Sequence, residues 1–87
     1  MSEIKVVVIE DHNLTRIGLR AALETREDIK IVGEASNGTE GLNLLKSLKP
    51  DVATVDLGLP DIDGIELTSK FRQYQAEIEN EETKILI

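Results

Sequence analysis

Three observations predict that this chain folds as a doubly wound α/β domain with a parallel sheet. The run Ile4-Lys5-Val6-Val7-Val8-Ile9 is too continuously apolar for a strand with one wet face. Strands buried on both faces are the habit of parallel sheets. Apolar spacing then alternates between strand-like and helix-like segments in the order βαβαβαβ, which calls for parallel pairing through right-handed crossovers. Finally, two strand-like runs break off into carboxylates, Glu10-Asp11 after the first strand and Asp56 after the third. With strand order 2-1-3-4 these two strands are neighbours. Their carboxyl ends then open on one cleft, where open α/β sheets bind ligands.

The elements follow in order. After the first strand, Leu14, Ile17, Gly18 and Ala21 fall on one helical face that Leu19, Ala22 and Leu23 widen, predicting a helix over residues 13–25. A connection at Arg26-Glu27-Asp28 leads to a short second strand over residues 29–33. Asn37-Gly38 fits a type I′ hairpin turn. Leu42, Leu45 and Leu48 follow at helical spacing, however, which favours Asn37 as a helix N-cap. Lys49-Pro50 ends that helix, and Val52 to Val55 form the third strand. Residues 57–63 are loop, and Gly64 opens a third helix that carries Ile65, Thr68 and Phe71 inward, with Gln75 and Ile78 on the same side. The acidic stretch from Glu77 onward frays that helix, and Lys84-Ile85-Leu86-Ile87 begin a fourth strand.

Composition narrows the function classes. The 87 residues suffice for one small domain, 40% hydrophobic and 31% charged, an ordinary balance for a globular chain. The absence of cysteine removes disulfides and thiolate metal sites, and suits a reducing compartment. No run reaches the ~18 apolar residues of a membrane span and no signal peptide is visible, so a cytoplasmic location is expected. A net charge of −7, no basic stripe and only Phe71 and Tyr74 as aromatics argue against direct nucleic-acid contact by this segment.

Chemistry concentrates at the two acidic strand ends. Three carboxylates gathered at one sheet edge repel one another unless a cation lies among them. Hard oxygen donors suit Mg²⁺, or Mn²⁺, which take one or two carboxylates with waters and a phosphate oxygen. An ionised Asp is also a competent nucleophile toward phosphorus. In the loop Asp56-Leu57-Gly58-Leu59-Pro60-Asp61-Ile62-Asp63-Gly64, Gly58 can bring a carbonyl close to a cation, Pro60 stiffens the turn and Gly64 permits a tight helix entry. The plainer reading of the acids is that they are solvated strand ends or helix caps. His12 reads as a helix-start residue with a solvated ring, and Asp61 and Asp63 as turn and cap residues.

These residues resemble a known family. The strings VIEDH, ASNGTEGL and VDLGLPDIDGIEL look like the receiver domain of two-component response regulators, over the whole chain. The resemblance implies a CheY-like, flavodoxin-like fold. By position, Asp56 would be the phosphoacceptor. Glu10 and Asp11 would bind magnesium with Asp56, and the Gly58 carbonyl would complete the metal site. It also implies a histidine kinase as phosphoryl donor. Glu-Asp-His followed by Arg16-Ile17-Gly18-Leu19 is most similar to receivers joined to LuxR-type DNA-binding domains.

Receivers of this family have five strands and five helices, so residues 1–87 are expected to form a receiver incomplete at its C-terminus, without an output domain. The phosphoryl-sensing Ser or Thr and the Lys of the last strand would lie beyond Ile87. A fourth strand left as a sheet edge predicts association of the chain with a second copy through that edge. Two readings of another class stand beside phosphoryl chemistry. One is a non-catalytic assembly module. The other is a mononucleotide or flavin binder, disfavoured because the first strand-to-helix turn lacks a Gly-rich phosphate loop and three acids would repel the phosphate.

Overall fold

A computed structural model describes residues 3–79 and 83–87. Four strands and three helices alternate: β1 (Ile4–Ile9), α1 (Asn13–Glu24), β2 (Ile29–Ala35), α2 (Gly38–Leu48), β3 (Val52–Val55), α3 (Gly64–Glu77) and β4 (Lys84–Leu86). All strand pairs are parallel and the order is β2-β1-β3-β4, as the sequence predicts.

The continuous apolar run of β1 is explained by its place at the centre, where Val6, Val7, Val8 and Ile9 are all buried. Right-handed crossovers put α1 on one face and α2 with α3 on the other. The main core lies on the α2–α3 face, where Val7 and Ile9 meet Ala53, Val55, Leu45, Leu67 and Phe71. Close packing there depends on Gly41, where an added Cβ would stand 2.7 Å from Ile9 Cδ1. Asn37 caps α2 by accepting the Glu40 N–H at 2.8 Å, so the capping reading holds over the hairpin. Lys49, at φ 48°, closes the helix in the left-handed region before Pro50.

Three expectations shift. The second strand runs two residues past Gly33 to Ala35, with a register shift between Val6 and Val7 that leaves Val32 as the extra residue. Its extension is held by Ala35, whose carbonyl accepts the Glu10 N–H, and by Glu34, which pairs with Arg20 at 2.7 Å. In α3 the inward stripe is Gly64, Leu67, Phe71 and Gln75; Ile65 is 67% exposed and Ile78 is exposed. The cause is the cap: Asp63 accepts the Glu66 N–H at 2.7 Å and fixes the helix phase with Gly64 against β3. In α1 the stripe Leu14, Ile17, Gly18 and Ala21 faces outward, with Leu14 85% exposed, while Leu19 and Leu23 turn toward the sheet. Arg16 and Arg20 set that rotation by reaching Glu34 on β2. The acidic stretch after Glu79 lies outside the described residues.

β4 is joined to the rest by a buried polar network. Thr83 donates its hydroxyl to the Pro50 carbonyl, and the Thr83 carbonyl accepts from Gln75 Nε2 at 3.3 Å and Arg72 Nη1 at 3.2 Å. Gln75 is 3% exposed, so its amide would be costly to bury without these partners. Among the described residues no helix is long and apolar enough to cross a membrane.

Candidate metal centre at the carboxyl edge of the sheet

Register brings the acids together. Ile9 lies opposite Val55 in the β1–β3 ladder, so the residues that follow them, Glu10 and Asp56, leave the sheet side by side. Both stay tied to it: the Glu10 N–H donates to the Ala35 carbonyl and the Asp56 N–H to the Ile9 carbonyl, each at 3.0 Å. Asp11 continues from Glu10. One ligand atom from each of Glu10, Asp11, His12 and Asp56 falls within 4.8 Å of the others. The predicted site residues Glu10, Asp11 and Asp56 are thus one cluster.

The cluster is partly dry. Glu10 is 7% exposed, while Asp11 and Asp56 are half-buried. Among the described residues no Lys or Arg forms an ion pair with any of the three acids. His12 alone reaches them. Its Nδ1 lies 2.8 Å from Glu10 Oε1, 3.1 Å from Asp11 Oδ1 and 3.7 Å from Asp56 Oδ2. The ring hydrogen bond goes to Glu10, and this bond, with the charge of Asp11 next, raises the His12 pKa above its ordinary value. The ring is solvated, as expected, yet it is engaged with the acids instead of capping α1.

Asp56 is held by its own loop. The Gly58 N–H donates to Asp56 Oδ1 at 3.1 Å, and this bond keeps the Asp56 carboxyl below its ordinary value against the opposing cost of burial. The predicted contribution of Gly58 was its carbonyl; the contact seen is made by its amide. Among the described residues, Asp11 Oδ1 and Asp56 Oδ2 are buried and accept no hydrogen bond, although the His12 ring stands beside both. Unbonded buried carboxylate oxygens are costly. Two of them facing one cluster fit a hard divalent cation, whose preferred donors are carboxylate oxygens.

The loop of residues 57–63 closes on Gly64. The Gly64 N–H donates to the Leu57 carbonyl at 3.0 Å, and a Cβ on Gly64 would stand 2.6 Å from the Asp56 carbonyl oxygen. Asp63 caps α3 as expected. Asp61 does something the sequence did not suggest: it bonds to the start of α2, across the loop. A second residue missed by sequence reasoning is Arg16, whose Nη1 donates to the Glu10 carbonyl at 2.7 Å and so fixes the end of β1. Its place one helical turn after the acids was the available signal.

Beside the acids, on the α1 face, lies an open groove of about 450 Å³ that runs between Leu19, Thr54, Leu86 and Ile87. Glu10 and Asp56 form its polar end.

Known proteins are similar to this chain in sequence and fold. Residues 6–87 match the model of the response regulator receiver domain. The chain is 48% identical over 67 residues to the transcriptional regulatory protein LiaR of Bacillus subtilis, covering 77% of this chain and 32% of that protein. It spans about a third of the length of the curated relatives it matches. Among solved structures, the signal receiver domain of the response regulator NarL from Mycobacterium tuberculosis superposes with a TM-score of 0.88 at 34% identity, over 98% of this chain and 64% of that one. The isolated REC domain of RcsB from Salmonella enterica serovar Typhimurium, solved with the phosphomimetic BeF3⁻, gives a TM-score of 0.83 at 28% identity, over 97% of this chain and 59% of that one. With four parallel strands in the order 2-1-3-4 and acids gathered at their carboxyl edge, the chain belongs to the response regulator receiver domains.

Proposed function

We propose that this receiver takes a phosphoryl group from a histidine kinase onto Asp56, with Mg²⁺ held by Glu10, Asp11, Asp56 and the Gly58 carbonyl. The observation that carries the reading is the pair of buried, unbonded oxygens, Asp11 Oδ1 and Asp56 Oδ2, within one acidic cluster. Mn²⁺ would serve by the same donor chemistry. The RcsB relative solved with a phosphomimetic supports the same assignment by analogy. A cytoplasmic location follows from a kinase donor and cysteine-free chemistry.

In the transfer step an Asp56 oxygen attacks the phosphorus of a phosphohistidine. The new O–P bond forms as the P–N bond breaks, and the electron pair leaves on the imidazole nitrogen, which takes a proton from solvent. When bound, the cation neutralises charge on the phosphoryl oxygens. The chain's own part is positional. The strand ladder places Asp56 beside Glu10, and the Gly58 amide orients the Asp56 carboxylate and favours its ionised form, the form that attacks phosphorus. Asp56→Asn is expected to abolish labelling by acetyl phosphate in the presence of Mg²⁺. Labelling of the variant at the wild-type level would overturn the assignment.

A second reading rests on the sheet edge. Among the described residues β4 pairs with β3 alone, and Leu86 and Ile87 are 62% and 61% exposed at the apolar groove. Such an edge invites pairing with a second copy, which would make the chain an assembly module. Sedimentation at falling concentration tests it: a dimer that persists to low micromolar concentration supports the reading, and a monomer throughout removes it.

A further inference from the structure

Asp61 is exposed, yet its carboxylate accepts four hydrogen bonds. They come from the Gly38 N–H at 2.6 Å, the Thr39 N–H at 2.8 Å, the Thr39 hydroxyl at 2.7 Å and its own neighbour, the Ile62 N–H, at 3.0 Å. Three of these donors belong to the first turn of α2, on the other side of the loop. Asn37 caps that helix at the Glu40 N–H alone, so Asp61 takes the two preceding amides from outside the helix, across the loop. Behind the bonds, Ile62 fills the space beside Gly38 so closely that a Cβ there would stand 2.4 Å from Ile62 Cγ1. The loop is therefore fastened to α2 by both a charge and an apolar contact.

We propose that Asp61 is a positioning residue, bracing the β3–α3 loop on the N-terminus of α2 and so fixing where Gly58 and Asp56 stand in the acidic cluster. The functional weight of this inference rests on Asp56 being the phosphoacceptor; the brace itself rests on geometry. A carboxylate suits the place because two acceptor oxygens can serve two amides and a hydroxyl at once. The positive end of the helix dipole favours its charge as well. The Thr39 hydroxyl bond first, and the Gly38 amide next, hold the Asp61 carboxyl well below the usual carboxylate range, so the brace is charged at neutral pH. From Asp61 the path to the site is short. The loop closes at the Gly64 N–H to Leu57 carbonyl bond, and Gly58 bonds Asp56 directly.

Two caps on one helix provide the test, since only one of them touches the loop. Asp61→Ala is expected to speed hydrogen exchange at the Gly64 amide roughly tenfold. The same variant should slow labelling of Asp56 by acetyl phosphate and Mg²⁺ roughly tenfold. Asn37→Ala removes the other cap and should leave both unchanged. Asp61→Asn keeps one acceptor oxygen and should restore part of the loss. Thr39→Val, which removes only the hydroxyl donor, makes the same comparison with both amide bonds intact and should give about a threefold effect. If Asp61→Ala and Asn37→Ala move the Gly64 amide equally, Asp61 is a second helix cap and the proposal fails. Wild-type protein that takes no label would sink the phosphoacceptor reading alone, because the exchange comparison judges the brace without it.

Discussion

Replacing Gly64 by alanine sets a methyl group against the backbone of the acidic site. The added Cβ would stand 2.6 Å from the Asp56 carbonyl oxygen, 3.0 Å from Leu57 Cα and 3.1 Å from the Asp56 carbonyl carbon. None of these is the free end of a side chain that could swing away. Merely to reach 3.0 Å from that oxygen, α3 and β3 must part by about 0.4 Å, the difference between 3.0 and 2.6 Å. Overpacking of this kind costs about 1–3 kcal/mol. The same strain acts on Asp56 itself, and since a ~1 Å misplacement at a reacting group can cost ~10²-fold, a shift near half that size should slow labelling roughly tenfold. Gly18 supplies the comparison. It is exposed in the middle of α1 with nothing within 4 Å of an added Cβ, so alanine there should stabilise the helix by up to about 1 kcal/mol and leave labelling unchanged. The assays are denaturant unfolding and the rate of acetyl phosphate labelling with Mg²⁺ on both variants. Equal effects of the two substitutions, or Gly64→Ala at the wild-type labelling rate, would refute the steric argument.

Other perturbations follow from the same geometry. Leu45 is fully buried between α2 and the sheet, so Leu45→Ala should cost about 2–5 kcal/mol in denaturant unfolding; a loss under ~1 kcal/mol would mean the core is not packed as described. Asp11→Asn removes one of three mutually repelling carboxylates. Its melting temperature in EDTA should equal or exceed that of the wild type, while the rise on adding Mg²⁺ should shrink; a larger Mg²⁺ response in the variant would contradict the proposed ligand set. The Asp61 carboxyl is depressed below its ordinary 3.8 in the folded chain. A group of this kind contributes stability above its unfolded value, and the contribution is lost as pH falls through the folded value. The melting-temperature difference between wild type and Asp61→Asn should therefore be constant from pH 5 to 7 and narrow only below about pH 4. Narrowing that begins near pH 6 would point to a different group.

The parts of the fold that could be read in advance are those governed by local patterning. β1 declared itself because an uninterrupted apolar run suits a strand covered on both faces, and Asn37 because a cap residue preceded helical spacing. The acids after Ile9 and Val55 were legible as a single site once parallel order was inferred, since register does the rest. Helix rotation was less accessible. The outward stripe of α1 and the exposed Ile65 of α3 are apolar residues at helical spacing, and spacing alone does not say which neighbouring face is covered. What set the rotation was tertiary: Arg16 and Arg20 reaching Glu34, and Gly64 seated against Asp56. The role of Asp61 was hidden for the same reason, because an Asp in a turn ordinarily bonds its own neighbours, and its main partners here are 22 and 23 residues away.

Arg16 shows how the fold keeps the acidic cluster uncompensated. It follows Glu10 and Asp11 closely in the chain and reaches the end of β1. Its Nη1 donates to the carbonyl oxygen of Glu10 at 2.7 Å, its Nη2 bonds the Asn13 side chain, and its Nε faces Glu34 at 3.8 Å. The guanidinium thus stiffens the backbone that carries the acids while its charge is spent on β2. A direct Arg–carboxylate pair would satisfy the orphaned oxygens of Asp11 or Asp56 and remove the repulsion that makes the site attractive to a cation. His12 is the exception that reaches the cluster, through an exposed ring bonded to Glu10, unlike an Arg anchored along α1. The arrangement therefore separates two tasks that one Arg would otherwise merge: holding the strand end in place, and leaving its carboxylates, among the described residues, without a Lys or Arg partner.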